Sequence, residues 1–266
     1  MITFPNAKIN LGLNIVSKRE DGYHNIESCF YPIPWHDCLE VIEAAAFAFY
    51  SYGLEIPGDA SKNLCVKAFE LLKSDFDISP VEIHLLKNIP MGAGLGGGSA
   101  DGAFTLKMLN RLFELGLSTD TLRNYALKLG SDCPFFIKNQ PAIAKGRGEQ
   151  LETIELDLSG FHLAIHNPNI HVSTKEAYSG VTPNPSKIEI SELIGTPIST
   201  WKNSLHNDFE KSIFPNHPNI QQLKQDMYES GAIYASMTGS GSTVFGLFDT
   251  KLNQSVKWKW LSLNND

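Results

Sequence analysis

Residues 9–16, INLGLNIV, alternate between apolar and polar, so that Ile9, Leu11, Leu13 and Ile15 share one side of an extended chain. A period of two predicts a strand with one buried face. The same period recurs over Val81–Leu86, and apolar runs at Cys38–Ala48, Phe161–Asn167, Tyr234–Ser236 and Thr243–Phe248 predict further strands. Near the end, VKWKWLSL (256–263) reads as an edge strand with Trp258 and Trp260 inward. Elsewhere the spacing switches to three and four residues. Ser61–Lys73 carry Leu64, Ala68, Leu71 and Leu72, which predicts a helix with Ser61 as N-cap. Ser99–Leu115 carry Ala103, Phe104, Leu106, Leu109, Leu112 and Phe113, an amphipathic helix capped by Ser99 with Asp101 in its first turn. Gly102 lies inside that helix at a propensity cost of about 1 kcal/mol. Helices are also expected over Thr119–Leu129, stopped at Gly130, and over Ile220–Ser230. Asn207 and Glu210 have capping-box spacing ahead of a short helix reaching Phe214.

Strands and helices mix without a regular βαβ rhythm, which favours an α+β fold. A boundary near residue 155 would give domains 1–155 and 156–266. With 42% hydrophobic and 19% charged residues among 266, the chain can bury a sizeable core. The net charge is −7 and no run of Lys and Arg occurs, so no nucleic-acid partner is expected. A small anionic ligand would need local donors instead of a global positive field. The four cysteines form no C-x-x-C pair and read as free thiols of an intracellular chain. No apolar run of about 18 residues predicts a membrane span, and the N-terminus lacks the pattern of a secretory signal, so a cytoplasmic location is expected. The oligomeric state stays open between monomer and homodimer.

The densest chemical signal is Pro90-Met91-Gly92-Ala93-Gly94-Leu95-Gly96-Gly97-Gly98-Ser99-Ala100. So bare a loop lets backbone N–H groups converge on an anion, and the helix behind it adds unpaired N–H groups and the positive end of a dipole. That suits a nucleotide triphosphate tail. A dinucleotide reading has Gly92, Gly94 and Gly97 in G-x-G-x-x-G, but Pro90 and Met91 separate them from the strand and the nearest acid about 20 residues on, Glu114, lies within the helix. The G-x-x-x-x-G-K-[ST] loop fails because no Lys follows the glycines.

This run resembles the glycine motif of the galactokinase, homoserine, mevalonate and phosphomevalonate (GHMP) kinases. PNAKINLGLNI at 5–15 resembles the first motif of that superfamily and GSGSTVF at 239–245 the third, all in the expected order. The resemblance implies an N-terminal domain like domain 2 of a ribosomal protein and a ferredoxin-like C-terminal domain. It also implies ATP and Mg2+ as cofactors and a small-molecule acceptor. Within the superfamily, Arg19–Ser28 (REDGYHNIES), GLGGGSAD at 94–101, LGSDCPFF at 129–136, GRGE at 146–149 and NDFE at 207–210 resemble the branch that phosphorylates the 2-hydroxyl of a cytidine diphosphate derivative of methylerythritol.

What the resemblance implies for single residues can be set beside their plainer readings. Asp132, in a turn where Asp is most often a cap, would be the base that takes the hydroxyl proton. Lys8, otherwise a snorkelling surface lysine, would partner it at the reacting oxygen or the transferred phosphoryl group. Tyr23 would stack on cytosine, His24 would read its edge, and Tyr178 would close the sandwich, with Thr174 and Asn10 also touching substrate. Asn63 would lie near adenine or on a helix surface, and Ser99 would reach the phosphates or the metal or else only cap its helix. Gly239, Ser240 and Gly241 would approach substrate phosphates through N–H groups or form a plain hairpin turn. The metal ligands are not assigned. Homoserine- and mevalonate-type kinases, which bind no base, a non-catalytic nucleotide-binding regulator, and a nicotinamide dehydrogenase are the alternatives.

Overall fold

The computed structural model describes residues 1–185, 188–252 and 258–263. In chain order the elements are β1 (Ile2–Thr3), β2 (Asn6–Lys18), β3 (His24–His36), β4 (Cys38–Glu43), β5 (Ala48–Gly53), α1 (Leu64–Asp75), β6 (Val81–Lys87), α2 (Gly97–Leu112), α3 (Thr119–Leu129) and α4 (Cys133–Lys138). There follow β7 (Ala142–Lys145), β8 (Gln150–Thr153), β9 (His162–His166), α5 (Thr174–Ser179), α6 (Ile190–Ile194), α7 (Ile198–Ser204), α8 (Phe209–Ile213), α9 (Pro218–Glu229), β10 (Tyr234–Met237), β11 (Val244–Phe248) and β12 (Lys259–Ser262). The mixture is α+β, as its lack of βαβ rhythm predicts. No helix among the described residues is long and apolar enough to cross a membrane.

Two compact units form, each from separate stretches: Met1–Ala7, Trp35–Met91 and Gly96–Gln140, and Lys8–Pro34, Gly92–Leu95 and Pro141–Asp266. The first unit holds the sheet β1-β4-β6-β5, antiparallel except for the parallel β5–β6 pair. Strand β6 shows why the period of two works: Val81, Ile83 and Leu85 are fully buried, whereas Leu86 is exposed. Lys87 continues the buried phase at 1% exposure, a charged residue in a core position. Helices α1 to α4 pack together in this unit. A Cβ on Gly102 would lie 2.8 Å from Leu64 Cβ, so the glycine that costs helix propensity lets α1 approach α2.

The second unit holds two sheets, β2-β3-β7-β8, antiparallel across β3–β7 and β7–β8, and the antiparallel β10-β11-β9-β12. Strand β2 departs from the expected half-buried pattern. Lys8 and Asn10 are as buried as Ile9 and Leu11, because the polar face is covered too. A core of Leu13, Ile15, Phe209, Ile213, Met227, Met237 and Phe248 joins the two sheets to α8 and α9. Strand β12 is the edge expected, with Trp258 buried and Trp260 packed on this core; Val256 and Lys257 lie outside the described residues.

Several local expectations are corrected. The Cys38–Ala48 strand breaks after Glu43, and Ala48 opens a separate strand. Helix α1 starts at Leu64, capped by Asn63, whose Oδ1 accepts from Cys65 N at 2.8 Å; Ser61 belongs to a short 3-10 turn capped by Asp59. Helix α2 starts two residues earlier than expected, after Gly96 at φ +71°, so Ser99 is not its cap. Asn207 and Glu210 form no capping box. Asn207 Nδ2 donates to Met237 O and Gly239 O, and Glu210 Oε1 accepts from Met237 N.

Candidate active site

In the second unit Lys8 is drawn inward by acceptors. Its Nζ donates to Asn10 Oδ1 at 2.6 Å and to Gly94 O at 3.3 Å, and lies 4.8 Å from the Phe30 ring centroid. Asn10 is fixed in turn: its Nδ2 donates to Ser28 Oγ and its backbone N–H to Thr238 Oγ1. Thr238 Oγ1 lies 3.1 Å from Gly94 O and 3.2 Å from Asn10 Oδ1, and its one proton serves one acceptor at a time. Thus the snorkelling reading fails for Lys8, which is 3% exposed and held by a polar network.

The same network joins two glycine turns. Gly94 has φ +77° and a Cβ there would collide with Thr238 O; a Cβ on Gly239, at φ +55°, would come within 3.0 Å of Gly94 Cα. Only glycine permits this approach at positive φ. Gly94→Ala should destabilise the protein by at least about 2 kcal/mol, read from urea denaturation. The Gly241 N–H donates to Thr238 O, closing the turn after β10.

The 19–25 hairpin is a built turn. Arg19 donates from Nε and Nη2 to Asp21 and from Nη1 to Asn25, and Asp21 Oδ1 accepts from Tyr23 N. Tyr23 is 57% exposed, with the Arg147 guanidinium 5.1 Å from its ring centroid. His24 stacks on Tyr178 at 4.7 Å and 19°, and Tyr178 meets Phe209 edge-on at 4.8 Å. So Tyr178 pairs with His24, and Tyr23 with Arg147, a residue the motif reading left unassigned. Burial and then Lys18 hold the His24 imidazole below its ordinary value, favouring the neutral ring that both donates and accepts. Thr174 opens α5, exposed, with Ser173 capping the helix through Glu176 N.

In the first unit Asp132 occupies the N-cap position of α4 without making a side-chain capping bond. It is half-buried. Ser99 lies in the first turn of α2 beside the Cys133 thiol, which burial pushes up to about 12. Asn63 is occupied as the α1 cap.

The residues missed from sequence are Asp37, Lys87 and Asp101. Lys87 Nζ donates to Asp37 Oδ2 and, at 2.8 Å, to Asp101 Oδ2. Asp37 Oδ1 also accepts from Asn88 N and Ile89 N. Asp101 Oδ1 is buried without a hydrogen-bond partner. Of the two carboxyls, Asp101 is therefore the less compensated, and burial pushes it from 3.8 up to about 7 against the pull of Lys87. A folded value above the unfolded one means that this group's contribution is present below about pH 4 and lost as pH rises to about 7. Wild-type stability should fall across that window relative to Asp101→Asn, as denaturant midpoints at several pH values would record. The missed signal was the alternation itself: Val81, Ile83, Leu85, Lys87 puts a charge on the core phase of a strand.

The pattern of the GHMP kinases N terminal domain matches residues 63–144, and that of the GHMP kinases C terminal matches 192–260. The 4-diphosphocytidyl-2-C-methyl-D-erythritol kinase of Cytophaga hutchinsonii is 54% identical over 252 residues, 94% of this chain and 93% of that protein. The chain belongs to this family of GHMP kinases. The kinase of the same description from Parabacteroides distasonis is 53% identical over 249 residues, 94% of this chain and 92% of that protein. A crystal structure of 4-(cytidine 5'-diphospho)-2C-methyl-D-erythritol kinase superposes with a TM-score of 0.80 at 31% identity, covering 93% of this chain and 90% of that one. The expected resemblance and fold are borne out. This protein is therefore an enzyme, a kinase, and its family implies ATP as a substrate.

Proposed function

We propose that this kinase transfers the γ-phosphoryl group of ATP to the 2-hydroxyl of 4-diphosphocytidyl-2-C-methyl-D-erythritol, a step of the non-mevalonate route to isoprenoid precursors, in the cytoplasm. The observation that carries the reading is identity above half, over nearly the whole length, to kinases named for that substrate. The substrate oxygen attacks the γ-phosphorus, its proton passes to Asp132, and the bond to the β,γ-bridging oxygen breaks to release ADP. Lys8, already desolvated, stabilises charge on the transferred group. The glycine loop binds the phosphates through its N–H groups, and Asn63 borders the adenine end. Tyr23 offers cytosine an exposed ring face, with Tyr178 as the second wall and neutral His24 suited to the donor and acceptor groups of the base edge. Asn10, Thr174, Gly239 and Ser240 complete the acceptor contacts.

Among the described residues no group of three or more His, Cys, Asp or Glu is gathered to hold a metal. Mg2+ in phosphoryl transfer takes most of its oxygens from nucleotide and water, with one or two from protein, so the Ser99 hydroxyl near the start of α2 is a fitting ligand. When bound, the ion neutralises charge on the β- and γ-phosphates.

Phosphorus and carbon NMR of the product tests the assignment. A new monophosphate ester coupled to the tertiary carbon is expected. Phosphate on another carbon would contradict the acceptor position.

A further inference from the structure

Lys87 lies on the last residue of β6, and Asp101 lies within the first turns of α2, so their ion pair joins the strand before the glycine loop to the helix after it. Asp37, between β3 and β4, takes the second place on Lys87 and also holds the Asn88 and Ile89 amides, the first residues past the strand. All three side chains are buried, with Lys87 and Asp37 at 1% and Asp101 at 2% exposure. The ammonium sits beneath the start of the helix: a Cβ on Gly97 would come 3.0 Å from Lys87 Nζ and 2.8 Å from Ile89 Cγ2. A cation there opposes the positive end of the helix dipole, so stability alone is a poor reason for it. Replacing a buried ion pair by apolar residues is often neutral or stabilising. What two carboxylates around one ammonium do supply is direction, since each bond fixes one stem of the loop.

We propose that Asp37, Lys87 and Asp101 are positioning residues that set the first turn of α2 and the stem at Asn88 and Ile89, so that the loop N–H groups meet the nucleotide phosphates. This rests on the loop being the phosphate cradle. Buried as they are, the three act through Gly97, Gly98 and Ser99.

The test separates phosphate contacts from the rest of the nucleotide. Calorimetry on the full chain would compare a non-hydrolysable ATP analogue with adenosine, for wild type, Asp101→Asn and Asp37→Asn. Positioning predicts that each variant loses about ten-fold or more in affinity for the analogue, while adenosine affinity stays within about two-fold. Equal loss for both ligands would mark general structural damage and overturn the proposal, as would no loss for either. Wild type that bound adenosine as tightly as the analogue would overturn the cradle reading itself, and the proposal with it. Hydrogen exchange on wild type needs no variant. The Asn88 and Ile89 amides should exchange as slowly as those of β6, and exchange at the rate of exposed loop amides would overturn the role of Asp37.

Discussion

With Asp132 as the proposed base, Asp132→Asn is expected to lower kcat by about two to three powers of ten, with little change in the KM of either substrate. The size of the effect follows from the chemistry. A tertiary hydroxyl is a poor nucleophile until its proton has somewhere to go, and Asn keeps the shape of Asp without accepting that proton. Phosphoryl transfer runs through a loose transition state, in which proton removal is only part of the barrier, so a loss of six powers of ten is not expected. The substitution should leave folding intact. Asn matches Asp in volume and shape, so the packing around α4 is kept. Steady-state kinetics beside a thermal melt checks both halves. An Asp132→Asn protein of unchanged melting temperature and unchanged kcat would remove Asp132 from the reaction.

With Lys8 in its proposed role, Lys8→Met is expected to lower kcat by about two to four powers of ten and also to cost about 1–3 kcal/mol in stability. The second effect arises because Asn10 Oδ1 and Gly94 O lose a buried donor. The first arises because an ammonium desolvated beside Phe30 acts on phosphoryl charge far more strongly than a hydrated one. Lys8→Arg should not restore the rate, since a planar fork does not fit a pocket shaped around a point charge on a straight stem. The two effects are separable. Denaturation curves give the stability loss, and assays well below the melting temperature give the rate. A Met variant that lost stability but kept its rate would reduce Lys8 to a structural residue.

Much of the fold was legible because period governs burial. The alternation at 9–16 and 81–86 marks real strands, and the three-to-four spacing after the glycine loop marks α2. Capping was read less well. Ser61, Ser99 and the Asn207–Glu210 pair all have the chemistry of caps, yet a cap depends on which N–H groups are left over locally. Asn207 Oδ1 does accept locally from Phe209 N, while its Nδ2 and the Glu210 carboxylate serve Met237 and Gly239, about 30 residues onward, a demand that no local window contains. Strand β2 has a half-buried pattern in sequence because Lys8 and Asn10 look like solvent positions. What covers them includes Thr238, which sits 228 residues beyond Asn10. The Lys87 network was hidden for the same reason, with its carboxylates 50 residues before and 14 after it. Gly102 shows the converse. Propensity marks it as a cost, and only the approach of Leu64 explains it.

The most direct measurement is ADP release from Mg-ATP with three acceptors side by side: 4-diphosphocytidyl-2-C-methyl-D-erythritol, homoserine and mevalonate. Turnover with the cytidine diphosphate compound alone is the expected result, because Tyr23, His24 and Tyr178 have a base to hold only there. Turnover with homoserine or mevalonate would keep the kinase and contradict its acceptor, and ATP binding without turnover on any of the three would point to a non-catalytic nucleotide-binding regulator.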